Sequence, residues 1–334
     1  MDKELQHTAE EVQRLSRKLE ALKKEIGKVI IGQEETISQL LITFLAGGHA
    51  LLEGVPGLAK TLMIRSLADA IDLKFKRIQF TPDLMPSDII GTEILEEDHS
   101  TGKKFFKFNQ GPIFSNIILA DEINRTPPKT QAALLEAMQE FSVTYGGRTY
   151  PLERPFFILA TQNPIEQSGT FVLPEAQQDR FLLYIKIGYP TASEEEKILR
   201  ATTGTARPKI DKVISGEEIS RLQELVREVN ISDALISYVG KIVRASRPLT
   251  SSLDYVREWV EWGAGPRAGQ AMILTAKANA LLEGRLAVSP DDLKAVAPAV
   301  LRHRVLVNFR AEAEGIGSDA VTQHILEHVQ PKHR

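Results

Sequence analysis

Between Glu4 and Ile26 the apolar residues Leu5, Val12, Leu15, Leu19, Leu22 and Ile26 recur mostly at three- or four-residue intervals, with Lys and Glu between them. That spacing predicts one amphipathic helix with a single buried face. A second helix is predicted over Glu34–Ala46, where the chain runs into Gly47-Gly48 and then an apolar strand, His49–Leu52. Further apolar runs, Lys76–Phe80, Asn116–Ala120, Phe156–Ala160 and Phe181–Ile187, are separated by helical stretches such as Thr61–Ile71 and Thr130–Glu140. Strands that alternate with helices and are apolar on both faces predict an α/β fold with a parallel sheet covered on two sides.

After Gly188-Tyr189-Pro190 the pattern changes to helices only: Glu194–Ala201, Ser215–Val229, Ser232–Ala245, Arg267–Glu283 and Pro290–Arg304. The expected organisation is an α/β core with its N-terminal helix over residues 1–189 and an all-helical domain over 190–334, hinged at Pro190. Two domains also fit a prior of about 150 residues each. Two short segments read as hairpins. Apolar runs flank Gly102-Lys103-Lys104, and Ser142–Tyr150 alternates around Gly146-Gly147, a two-residue turn.

Bulk composition narrows the partners. With 41 Lys plus Arg against 44 Asp plus Glu, the net charge of -3 offers no global field for nucleic acid or an anionic membrane. The absence of cysteine excludes disulfides, thiolate catalysis and zinc sites built on Cys. The apolar stretch Leu40–Leu52 is broken by Gly47, Gly48 and His49, and falls short of the roughly 18 residues a membrane span needs. No apolar segment follows Met1-Asp2-Lys3-Glu4, so a cytoplasmic location is expected.

The chemistry begins at residues 54–61, GVPGLAKT, directly after a strand and before a helix. In that setting the backbone N–H groups of Gly54, Val55, Gly57, Leu58 and Ala59, with Pro56 shaping the turn, and the helix start at Lys60-Thr61-Leu62 wrap a polyphosphate. Lys60 neutralises its terminal oxygens and the Thr61 hydroxyl binds Mg²⁺. The general pattern has glycine where Ala59 stands; alanine suits the position if its backbone is already helical. A glycine-containing turn that happens to carry Lys and Thr is the competing reading.

Residues 117–122, IILADE, form an apolar strand ending in two acids, which places them at the carboxyl edge of the sheet. Asp121 is positioned to hold Mg²⁺ with Thr61, and Glu122 to orient and deprotonate the attacking water. Asn163 ends the next core strand, where it can hydrogen-bond that water or the γ-phosphate, although Asn-Pro is also a turn initiator.

The segments GVPGLAKT, LADEINR (119–125), ATQNP (160–164), LPEAQQDRF (173–181) and GPRAG (265–269), in this order, resemble an AAA+ ATPase of the MoxR family over nearly the whole chain. In that family alanine before the lysine is common. The resemblance implies a ring, a hexamer, with ATP at each subunit boundary. It makes Asn163 the first sensor, Arg267 a second sensor acting in cis, and Arg180 the arginine supplied to a neighbour's γ-phosphate. Arg125 is a second interface candidate, against a surface arginine paired with an acid. Ile31 and Gly32, in VIIGQ, match the adenine-side stretch, with a buried strand or a helix start as the nearly equal alternative. The first hairpin matches AAA+ proteins with an insert in their second helix, and the second, Ser142–Tyr150, matches a hairpin that faces the pore or a partner in related ATPases, with decoration of a loop as the alternative for both. The activity implied is ATP hydrolysis that changes the angle between core and lid and remodels or activates another protein, commonly one with a von Willebrand factor A domain. No Asp-x-Ser-x-Ser pattern of such a domain occurs here, so that partner is expected on a separate chain. A nucleic-acid-stimulated motor and a nucleotide-gated assembly protein with little turnover are the alternatives.

Overall fold

The computed structural model describes residues 2–97, 100, 102–164, 169–205 and 208–331, with side chains from Glu10 onward. Helices α1 (Asp2–Gly27) and α2 (Glu34–Leu45) lead into β1 (Ala50–Glu53), α3 (Lys60–Ile71) and β2 (Phe75–Gln79). A short α4 (Pro86–Ile90) and the antiparallel pair β3 (Gly91–Glu97) and β4 (Lys104–Gln110) precede β5 (Ile117–Asp121). Helix α5 (Pro128–Glu140), the pair β6 (Ser142–Tyr145) and β7 (Arg148–Pro151), β8 (Phe157–Gln162), α6 (Glu175–Gln178) and β9 (Leu183–Lys186) complete the α/β part.

Strands β1, β2, β5, β8 and β9 form one parallel sheet in the order β2-β5-β8-β1-β9. Their two-residue side-chain period divides the core. Ala50, Leu52, Ile117, Leu119, Phe157 and Leu159 face α1–α3, whereas Leu51, Ile118, Ala120, Ile158 and Ala160 face α5. Burial on both faces is why these strands read as unbroken apolar runs rather than as alternation.

Both hairpins form. Gly146 and Gly147 have φ of 56° and 75°, the left-handed pair a two-residue hairpin turn requires. Gly102 lies in the β3–β4 turn, where residues 98, 99 and 101 lie outside the described residues. Phe108 of β4 stacks on Tyr145 and Tyr150 at 5.0 and 4.6 Å, so the two hairpins pack as one unit.

Beyond Pro190 come α7 (Ala192–Thr203), α8 (Gly216–Glu228), α9 (Asp233–Ala245), α10 (Asp254–Trp259), β10 (Val260–Trp262), α11 (Pro266–Leu282) and α12 (Pro290–Leu301). Strand β11 (Leu306–Val307), α13 (Phe309–Ala313) and α14 (Ser318–His328) follow. This part is helical apart from the small antiparallel ribbon β10–β11. Thr191, Ser215 and Ser289 start their helices as N-caps, each with an acid three residues on that reaches back.

Helix α1 buries Val12, Leu15, Leu19, Leu22 and Ile26, whereas Leu5 lies outside the described side chains. It packs on α3 of the core and on α11 of the lid alike. Ion pairs of Arg14 and Lys18 with Glu218, and of Arg221 with Glu11, fringe the contact. Partly exposed pairs contribute below about 1 kcal/mol each, against about 1.5–3 kcal/mol for each buried Leu, so the apolar face holds the helix. One apolar cluster runs from the sheet through α1 and α2 into α8, α9, α11 and α12. The lid is therefore packed on its own sheet, and a wide opening at Pro190 would expose this core.

A buried histidine fixes the amino edge of the sheet. His49 Nδ1 accepts the Ile158 N–H at 3.1 Å, so Nε2 carries the proton and donates to the Met138 carbonyl at 3.1 Å. Full burial lowers its pKa to about 4. Because the unfolded chain titrates near 6.5, it binds more protons than the folded chain between pH 6.5 and 4, so stability falls as pH drops through that window. Burial also holds His303 well below its ordinary value, with the same sign. Urea unfolding at pH 8 and pH 5 should show a loss of about 2 kcal/mol from His49 alone. Equal stability at the two pH values would contradict the neutral, doubly bonded histidine.

Candidate nucleotide site

The loop between β1 and α3 is shaped by close approach. A Cβ on Gly54 would lie 2.0 Å from Ile187 Cγ2, so only glycine fits there beside β9. Gly57 has φ 89°. Ala59 has φ 54° and ψ 23°, in the left-handed region, which corrects the expectation of a helical backbone. The turn that aims the start of α3 at the loop imposes this conformation on alanine, at a cost of about 1–2 kcal/mol relative to the right-handed region.

Lys60, the first residue of α3, donates from Nζ to the Gly54 carbonyl at 2.7 Å. Partial burial lowers its pKa, while the charges of Asp121 and Glu122 act to raise it. The lysine of the loop thus lies within electrostatic reach of both acids. Thr61 follows it, half-buried, and Leu62 is exposed on the outer side of α3.

Asp121 ends β5 and is buried. Its Oδ1 accepts the Thr161 hydroxyl at 2.6 Å, and Oδ2 accepts Arg77 Nε and Nη2 at 2.9 and 2.7 Å. Glu122 has φ 58° and ψ 50°, a left-handed turn that carries its side chain away from the strand direction. Its N–H donates to Thr161 Oγ1 at 2.9 Å, so the Thr161 hydroxyl orients both acids. The Glu122 carboxylate accepts Gln79 Nε2 at 2.9 Å and Arg125 Nη1 at 3.0 Å. Arg125 therefore does pair with an acid, and the acid is Glu122 itself. Asn163, buried, leaves the end of β8, the strand between β1 and β5, and so stands between the loop and the acids.

Arg77, Gln79 and Thr161 carry no sequence motif. Strand register is the signal that finds them: Gln79 pairs with Asp121 across β2 and β5, and Ala160 pairs with Ala120 across β8 and β5, one residue before each partner.

Ile31 and Gly32 line a cavity of about 390 Å³ with Lys23, Gly27, Glu194 and Lys197, drawn from α1 and α7. Next to it, Gln33 Nε2 donates to the Gly188 carbonyl at 3.0 Å.

Residues 49–183 match the family model described as "ATPase family associated with various cellular activities (AAA)", and residues 254–325 match an AAA lid domain. The chain is 44% identical over 306 residues to Chaperone MoxR1 of Mycobacterium tuberculosis, covering 91% of this chain and 80% of that protein. It is 33% identical to Protein MoxR of Paracoccus denitrificans over 298 residues, covering 84% and 86%. The chain belongs to the MoxR family of AAA+ ATPases. A crystal structure of a putative ATPase from Cytophaga hutchinsonii superposes with a TM-score of 0.91 at 42% identity, covering 99% of both chains. Core and helical lid therefore have the arrangement of a solved relative.

Within this MoxR-family fold the remaining two arginines lie elsewhere. Arg180 precedes β9 at its amino end, where Leu182 N–H donates to the His49 carbonyl at 2.8 Å. Arg267, at the start of α11, points Nη1 at Asp179 Oδ2 at 3.4 Å, and Arg304 Nε reaches Asp179 Oδ1 at 2.7 Å. Arg180, Arg267 and Arg304 line one cavity of about 280 Å³. Lys60, Asp121 and Glu122 lie at the carboxyl edge, across the whole length of β1, about 10 Å, and the loop beyond it. Arg267 thus stands beside Asp179, just ahead of the amino end of β9, with Arg304 on the other Asp179 oxygen.

The Arg77 contact yields a test. Its guanidinium holds the Asp121 oxygen that a Mg²⁺ shell needs, and a half-exposed pair of this kind contributes up to about 1 kcal/mol, or fivefold. Arg77→Gln should lower the Mg²⁺ concentration for half-maximal nucleotide binding two- to fivefold, read by titrating Mg²⁺ at fixed nucleotide. A rise would instead make Arg77 a nucleotide contact.

Proposed function

We propose that the chain hydrolyses ATP in a ring of like subunits, a hexamer, and uses the cycle to remodel, mature or activate a separate protein. The convergence of Lys60 with Asp121 and Glu122 on one edge of the sheet carries this reading. The residues suit Mg-ATP: a half-buried ammonium donates to a loop carbonyl, faces two carboxylates and has left-handed backbone at Gly57 and Ala59 beside it. Thr61 and Asp121 would hold Mg²⁺, which supplies charge neutralisation at the phosphates. Residues Gly54 to Leu62 bind the phosphates, and Ile31 and Gly32 flank the base. Asn163 orients the water, and Glu122 removes its proton once the side chain leaves Gln79 and Arg125.

Arg180 acts in trans, and Arg267 serves as the second sensor. The place of Arg180 before the amino end of β9, at the edge opposite its own loop, supports service to a neighbour's γ-phosphate, where a guanidinium is worth on the order of 10³–10⁵ in rate. The core shared by sheet and lid supports a subunit that moves as one body, with the change realised at subunit boundaries. A protein with a von Willebrand factor A domain is the proposed partner, in the cytoplasm. Among the described residues no helix is long and apolar enough to cross a membrane. The near-neutral charge disfavours nucleic acid. Phosphate release measured against protein concentration tests the ring: it should rise faster than linearly, and strict proportionality down to the lowest concentrations would speak for a self-sufficient monomer.

A further inference from the structure

The last helix ends in His324-Ile325-Leu326-Glu327-His328, chemistry that the nucleotide site does not use. Residues at i, i+3 and i+4 share one face of a helix. One ligand atom from each of His324, Glu327 and His328 lies within 4.8 Å of the others. The imidazoles are already oriented. His328 Nδ1 lies 2.8 Å from the His324 carbonyl, which can only accept, so Nδ1 carries the proton and Nε2 keeps its lone pair. A ring nitrogen fixed by a backbone carbonyl is how metal-binding histidines are commonly set. The His324 ring stacks between Tyr255 of α10 at 4.4 Å and His328 at 4.0 Å.

We propose that His324, Glu327 and His328 form a binding site for a divalent transition cation of the zinc type, separate from the nucleotide site. Two imidazoles and one carboxylate suit Zn²⁺ and its neighbours, whereas Mg²⁺ and Ca²⁺ want oxygen donors throughout. Three protein ligands leave a fourth tetrahedral position for water or for a donor from another molecule. A bound ion ties the last turn of α14, which packs on α9, α10 and α12.

The test is titration of Zn²⁺ into the full-length protein in excess Mg²⁺ and ADP, with a competing chromophoric chelator. Expected is one high-affinity Zn²⁺ per chain, weakened at least about 10–100-fold in His324→Ala/His328→Ala, since losing ligands costs no less than losing their supporting contacts. His328→Gln, at an exposed position, should weaken binding in the same direction and guards against a folding defect from the loss of the Tyr255 stack. Zn²⁺ should also raise the melting temperature of the wild type and leave that of the double variant unchanged. Equal Zn²⁺ affinity in wild type and both variants, or the same thermal response in all three, would overturn the site.

Discussion

Glu122→Gln should stop steady-state ATP hydrolysis, with a loss of about 10²–10⁴-fold, while Mg-ATP binding persists. The substitution keeps the shape of the side chain and one acceptor oxygen, so the hydrogen bonds from Gln79 and Arg125 survive. It removes only the basicity needed to take a proton from water. Lys60, Thr61 and Asp121 are untouched, so nucleotide and metal remain held. The measurement is phosphate release under saturating Mg-ATP beside calorimetric binding. Undiminished turnover would take the base role away from Glu122, and lost binding would mean that its charge serves the ground state.

Arg180→Ala should lower turnover on the order of 10³-fold or more without weakening ATP binding to the subunit that carries it. Arg180 and Arg267 lie at the amino edge of the sheet, so their removal spares the loop and the acids at the other edge. A decisive version mixes two dead variants. Arg180→Ala subunits retain an intact phosphate loop, and Lys60→Ala subunits retain an intact arginine; boundaries that join one of each regain both. Activity should reappear on mixing, roughly in proportion to such boundaries. Silence from mixed rings of proven composition would mean that the arginine serves its own subunit. The same scheme with Arg267→Ala separates the trans role from the cis role.

Much of the fold was legible because burial writes itself into the sequence. Strands β1, β5 and β8 are covered on two faces, so Leu51-Leu52, Ile117–Ala120 and Phe157–Ala160 contain no polar residue to obscure them. Gly146-Gly147 announced a turn that only left-handed residues make. The loop and the acids were legible for a similar reason, since GVPGLAKT and ADE each sit at a strand end with fixed chemistry. The left-handed backbone of Ala59 has no local signal in the sequence, because alanine ordinarily avoids that region and the loop alone imposes it. Arg77, Gln79 and Thr161 were invisible because their role depends on register between strands remote in sequence. The edge on which Arg267 lies depends on how the lid packs, through Asp179, Arg304 and α1, and spacing along the chain carries no trace of that.

Mg-ATP titrated calorimetrically into the Glu122→Gln protein, alone and combined with Lys60→Ala or with Asp121→Ala, asks most directly whether the loop and the acids share one ligand. Expected is one nucleotide per chain, with affinity reduced at least about tenfold by either added change, as for the loss of a charged hydrogen bond. Tight uptake that survives both substitutions would show that the two segments do not meet on a common triphosphate.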